Sequence, residues 1–113
     1  MALEEFKLVD YARRPSPLNP TMFMELIQDL IDSNELELFL ETNRDDLIRL
    51  HHTLGRHIRN TYIYPNKEFM KPYSDKHPDD ISFEIIEKLQ KILIDLKKSG
   101  EDLYKLGLKR NTN

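Results

Sequence analysis

Between residues 19 and 34 apolar side chains return every three or four positions. Met22, Phe23, Leu26, Ile27 and Leu30 share one broad arc, with Glu25, Gln28 and Asp29 opposite. That spacing predicts an amphipathic helix. Asn19-Pro20 marks its start, because an asparagine side chain accepts from an early backbone N–H and proline at the first helical position lacks only a donor that would be unpaired anyway. Ser33-Asn34 marks its end. Residues 35–41 read Glu-Leu-Glu-Leu-Phe-Leu-Glu, an alternation shared by strand and helix. With helical neighbours and no partner strand in view, a short helix is expected. Asn43 caps a further helix, with Asp45 and Asp46 in the first turn where the dipole favours acids. This basic helix, residues 44–62, carries Leu47, His51, Leu54 and Ile58 on one stripe and Ile48, His52, Gly55 and Arg59 on the next. Arg49, Thr53, Arg56 and Asn60 face away.

Pro65, Pro72 and Pro78 make residues 63–80 a loop, pinned to the body by Phe69, Met70 and Tyr73. The longest helix follows, with Asp79 or Asp80 as its cap. Ile81, Ile85, Ile92 and Leu96 form a stripe that widens to Ile86, Leu89 and Leu93, and Gly100 stops the helix after Lys97-Lys98. Residues 101–108 add a last turn or two. The reading is an all-α chain: a small bundle of about four helices with an extended N-terminal arm. The arm is 1–18, broken by Pro15 and Pro17. The single helical domain is 19–108, and 109–113 is a flexible tail.

A chain of 113 residues suits one domain and buries roughly two-thirds of its unfolded surface without staples. There is no cysteine for a disulfide or a thiolate metal site. No apolar run approaches the ~20 residues of a membrane helix. The first ten residues lack a positive-then-apolar leader pattern, so a cytoplasmic protein is expected, with no membrane partner. Net charge is -3, but it is unevenly spread. Residues 1–43 hold three bases and nine acids, 44–76 seven bases and four acids, and 77–113 seven of each. The economical expectation is that the acidic first third and the basic middle attract each other inside the fold; otherwise one of them faces a charged partner.

His51, His52 and His57 invite a metal reading, yet their spacings are one, five and six. Helical ligands need three or four to face one point. No metal and no cofactor is expected, and His51 reads as a core-edge histidine with its polar end hydrogen-bonded. A nuclease pairing Arg44 with His51 is a weak alternative. No Gly-x-Ser-x-Gly turn supports Ser74 or Ser82 as a nucleophile, and no glycine-rich phosphate loop is present. Nucleic-acid contact has Arg49, Arg56 and Asn60 on one helix face, followed by Lys67, Lys71 and Lys76. Gly55, inside a helical stripe, costs about 1 kcal/mol against alanine, so another backbone is expected close by. Arg59 is expected to pair with Asp79 or Asp80, with loop 63–78 folded back across Gly55. Met24 and Ile31 on the first helix, and Phe83 and Ile94 on the last, widen their apolar arcs and form a candidate surface for a protein partner or a second copy.

Leu54-Gly55-Arg56-His57-Ile58-Arg59-Asn60, followed by His77-Pro78-Asp79-Asp80-Ile81-Ser82, resembles a family of small bacterial and phage helical proteins of unknown function. Its members look like Leu-Gly-Arg-x-Ile-Arg-Asn, a loop, then His-Pro-Asp-Asp-x-Ser. The resemblance spans about residues 20–95. It implies that Gly55, Arg56, Arg59, Asn60, His77, Asp79, Asp80 and Ser82 act together, as a shared site or as a structural lock, and the lock is favoured. By association it implies a role in defence, counter-defence or toxin control. The function expected is a protein-interaction or regulatory module. The alternatives are nucleic-acid binding through helix 44–62, or a hydrolase or nuclease built on the His/Arg/Asp cluster.

Overall fold

In the computed structural model, residues 17–73 and 75–106 are described; the expected arm, but for its last two residues, the tail 109–113 and Ser74 lie outside them. The described chain is 79% helical and contains no strand. It is cut into seven helical stretches, five of them of seven or more residues, rather than about four. Two places account for much of the difference: residues 44–62 form two helices instead of one, and part of the proline-rich loop is itself helical.

Helix α1, Pro20–Asp32, begins where Asn19 Oδ1 accepts from the Met22 N–H at 2.8 Å. It ends in a left-handed residue, Asn34 at φ 61°, with Glu35 N–H on the Leu30 carbonyl and Asn34 N–H on that of Ile31. These two bonds close the helix in the Schellman pattern and redirect the chain at once into α2, Leu36–Glu41. Gln90 from the last helix serves the far end of α2, donating to the carbonyls of Phe39 at 3.0 Å and Thr42 at 2.6 Å.

Asn43 caps α3, Arg44–Leu47, which tightens into a 3-10 segment, Ile48–His52. Thr53 breaks the path at φ -115°, ψ -85°. Its N–H and its hydroxyl both turn back to the Leu50 carbonyl, the local bonding that lets threonine compete with a helix. Helix α4, Leu54–Ile58, then loosens into a π turn, Arg59–Ile63, closed by Tyr64 N–H on the Arg59 carbonyl. The winding follows the spacing of the apolar side chains. Leu47 and Leu50 are three apart, as a 3-10 turn eclipses them. Ile58 and Ile63, both fully buried, are five apart, and only the wider turn puts both inward.

Asn66 caps the single turn α5, Lys67–Met70, and a 3-10 turn, Lys71–Tyr73, buries Tyr73 against Phe69. The spine is α6, Pro78–Lys98. Its cap is His77, whose Nδ1 accepts from Asp79 N–H at 3.0 Å; Asp79 and Asp80 sit inside the first turn instead. Pro78 decides this, since its fixed φ claims the first helical position and hands the cap to the residue before it, as Pro20 does for Asn19. Gly100, at φ 88°, closes the other end with a second Schellman turn, Glu101 N–H reaching the Leu96 carbonyl.

Helix α6 turns Ile81, Ile85, Ile86, Leu89, Ile92, Leu93 and Leu96 inward and touches α2, α4, the 3-10 segment before α4 and the π turn after it. Leu18, Phe23, Leu26 and Ile27 complete the core, each fully buried. Beyond Gly100 a turn at 103–106 buries Leu103 and Leu106. No helix of the described residues is long and apolar enough to cross a membrane.

Candidate functional site

Arg59 is the centre of a buried polar cluster. Its first turn out of α4 points the guanidinium at the start of α6, where it is only 7% exposed. Nε lies 3.4 Å from Asp79 Oδ1. Nη1 donates to Ser82 Oγ at 3.0 Å and to His51 Nδ1 at 3.2 Å, and Nη2 to the His51 carbonyl at 3.1 Å. Every nitrogen of the fork is therefore engaged. A guanidinium cannot accept, so His51 Nδ1 is the acceptor and the ring proton sits on Nε2, 3.7 Å from Asp79 Oδ2. Ser82, itself buried, donates its hydroxyl hydrogen bond to the Asp79 carbonyl at 2.9 Å.

Gly55 completes this arrangement. A Cβ built there would meet Arg59 Nη1 at 3.0 Å, the Leu50 carbonyl at 3.4 Å and Ser82 Oγ at 3.7 Å. What crowds the glycine is thus the guanidinium, the turn before it and α6, and not the backbone of loop 63–78. Among the described residues Ser82 Oγ is bonded to Arg59 Nη1 and to the Asp79 carbonyl, and His51 Nδ1 is occupied by Arg59.

The cluster joins Gly55, Arg59, Asp79 and Ser82, with His77 Nδ1 at its edge, 3.8 Å from Asp79 Oδ2. It adds His51, which sequence reasoning placed at the core edge but not in this set. Arg56, Asn60 and Asp80 are exposed and make no hydrogen bond or ion pair with the cluster among the described residues. Among those residues, no group of three or more His, Asp and Glu side chains is placed to hold a metal ion.

Some of the basic residues offered as nucleic-acid contacts are paired with acids three residues away. Arg49 pairs with Asp46 at 3.6 Å and Lys71 with Glu68 at 3.1 Å, while Lys67, Arg56 and Asn60 are exposed. Arg44 reaches Glu87 at 3.2 Å and Lys76 reaches Glu84 at 3.4 Å, both on α6. Among the described residues, Arg49 and Lys71 of the basic middle thus pair with local acids, and Arg44 and Lys76 with α6. One cross pair exists among the described residues, His57 Nε2 to Asp29 Oδ2 at 3.0 Å.

The expected apolar partner surface is distributed otherwise. Met24, Ile31 and Phe83 are half-buried and pack on the core. Ile94 lines a charged groove with Arg44, Glu84, Glu87, Lys88 and Lys91. Among the described residues, the large apolar side chain with the greatest fractional exposure is Leu38, at 67%. It stands over a groove of about 340 Å³ between α1, α2 and α4. Leu30, Phe39, Leu50 and Leu54 form the apolar lining; Asp29, Ser33, Glu35, Thr42, Thr53 and His57 provide the polar groups. The signal for it lay in residues 35–41, where one leucine more is present than a single buried face requires.

No protein-family model matches the chain, and no curated protein or solved structure matches it.

Proposed function

We propose that this chain is a small protein-interaction module whose binding face is the apolar groove between α1, α2 and α4. The observation that carries the reading is Leu38, two-thirds exposed beside a 340 Å³ apolar cleft in a chain whose other leucines are mostly buried. Exposed apolar surface rimmed by polar groups is the usual mark of a protein contact, and the volume falls within the ~300–1,000 Å³ of binding clefts. The Arg59 cluster has the opposite character. Its donors and acceptors satisfy one another, so it serves as a lock between α4 and α6, and an enzyme built on it has little to act with. A regulatory role of the toxin-control or counter-defence kind would be served by such a module.

The test is display selection of peptides on the intact protein and on Leu38→Asp. The substitution lies at an exposed position, so both proteins are expected to melt alike. Peptides that bind the native chain and lose the Leu38→Asp protein support the reading. Binders indifferent to Leu38, or a selection that yields none, would remove it.

A further inference from the structure

The groove has a sign as well as a shape. From Pro17 to Asn43 the chain holds six acidic side chains and no lysine or arginine. Asp29 and Glu35 line the groove, Asp32 lies one turn along α1 from Asp29, and Glu41 lies one turn along α2 from Leu38. The bases of the middle segment do not neutralise this wall. Among the described residues its ion-pair partners are His57, with Asp29, and Lys97, with Glu37. Asp32, Glu35 and Glu41 have no ion-pair partner among them, and all three are exposed.

We infer that the occupant of the groove is a basic amphipathic peptide segment: leucine- or phenylalanine-sized anchors in the apolar cleft, flanked by lysine or arginine facing α1 and α2. This rests on reading the groove as the binding face. The cleft is at the small end of the binding range, so it takes a few side chains of a helix or extended segment rather than a domain. Apolar burial supplies the attachment. The acids supply discrimination, because a like-charged segment would be brought against Asp29, Glu35 and Glu41, and they speed encounter with a basic one. Exposed charge pairs are weak singly and screened by salt, so the electrostatic part must show as a salt-dependent preference and not as a large affinity.

The experiment titrates the full chain, by fluorescence anisotropy, with three synthetic helical peptides. They share leucines at i, i+3, i+4 and i+7 and differ only in carrying lysine, glutamine or glutamate on the flanks. The lysine peptide is expected to bind best, to weaken as salt rises, and to lose binding to Leu38→Asp. The Glu35→Lys, Glu41→Lys double variant should bind it about tenfold more weakly, from a few screened pairs each contributing a small factor. If all three peptides bind alike and all depend on Leu38, the basic partner is overturned while the groove stands. If the lysine peptide binds regardless of Leu38, general charge attraction explains it and both readings fall. A Leu38-dependent dimer in sedimentation, with no peptide bound, would make a second copy the occupant and overturn the inference.

Discussion

Replacing Gly55 by alanine tests the lock in a way that separates it from ordinary helix preference. In an unobstructed helix the change stabilises by about 1 kcal/mol. Here the new Cβ would lie 3.0 Å from Arg59 Nη1. A long side chain usually yields at its tip, but this tip is held by Ser82 at 3.0 Å and His51 at 3.2 Å, with Nη2 on the His51 carbonyl. Moving the guanidinium by a few tenths of an ångström stretches all three bonds together, a form of overpacking that costs about 1–3 kcal/mol. The balance is a net loss of about 1 kcal/mol, where the propensity argument alone gives a gain. Arg59→Ala by itself should cost about 2–4 kcal/mol, since it strips the donor from a carbonyl, a ring nitrogen and a buried hydroxyl. Asp79, part-exposed, recovers water and keeps the loss at the lower part of the range for a broken pair. In the Arg59→Ala protein, Gly55→Ala meets no guanidinium and should stabilise by about 1 kcal/mol. The expected result is therefore a reversal of sign, a coupling of about 2 kcal/mol. Urea unfolding followed by far-UV circular dichroism on the four proteins of the cycle reads it directly. Gly55→Ala stabilising the native chain, or acting with one sign in both backgrounds, would refute the packing described.

Other substitutions probe the remaining joints. Gln90→Met should lower stability by about 1–3 kcal/mol, because it leaves the Phe39 and Thr42 carbonyls at the end of α2 without their donor; hydrogen exchange of α2 amides would show where the loss falls. Asn19→Ala should cost about 1 kcal/mol by removing the α1 cap, and His77→Asn should leave α6 at least as stable as before, since asparagine is a better cap; thermal melting distinguishes the two. Gln28→Met removes a buried amide oxygen with no partner, at the expense of the bond Gln28 donates to Asp32, so its melting temperature should match or exceed that of the native chain. The Tyr104 phenol is raised above its ordinary 10.0 by partial removal from water, by the hydrogen bond it donates to Glu37 and by the charges of Glu37 and Asp102. Its neutral form is thus favoured in the folded chain, so this contact is intact below pH 10 and is lost as pH rises through the raised value. Ultraviolet titration of the phenol, with and without Glu37→Gln, should show the shift shrink.

Much of the fold is legible in the residues that carry local chemistry. The Asn19-Pro20 start of α1, the Asn43 cap and the Gly100 stop are each set by neighbours within one helical turn, so short-range rules suffice. The same rule applied to His77-Pro78 would have placed the cap on the histidine; histidine is a rare cap, and two aspartates beside it drew the assignment. Residues 44–62 were harder. Their apolar positions fit one helix loosely, and only the three-residue step from Leu47 to Leu50 and the five-residue step from Ile58 to Ile63 hint at the tight and wide turns that the core imposes. The candidate site divides in the same way. A glycine within a helical stripe and an arginine near two aspartates pointed to a joint between two helices, whereas its partner His51 is identified by three-dimensional proximity alone. Charge counts suggested that the acidic and basic thirds would attract each other; among the described residues Arg44 and Lys76 pair with α6, Arg49 and Lys71 with acids three residues away, and His57 with Asp29 of the first third. The groove under Leu38 is a tertiary feature of three elements, visible in sequence only as a surplus leucine.

The polar cluster around Arg59 is satisfied from within the chain, and the apolar groove under Leu38 faces solvent. One titration reads both at once: nuclear magnetic resonance of the intact protein, with leucine methyls and arginine side-chain N–H groups observed together, as the lysine-flanked peptide is added. The methyls of Leu38, Leu50 and Leu54 should shift to saturation while the Arg59 Nε–H signal stays in place. Movement of the Arg59 signal with the leucine methyls unmoved would contradict both.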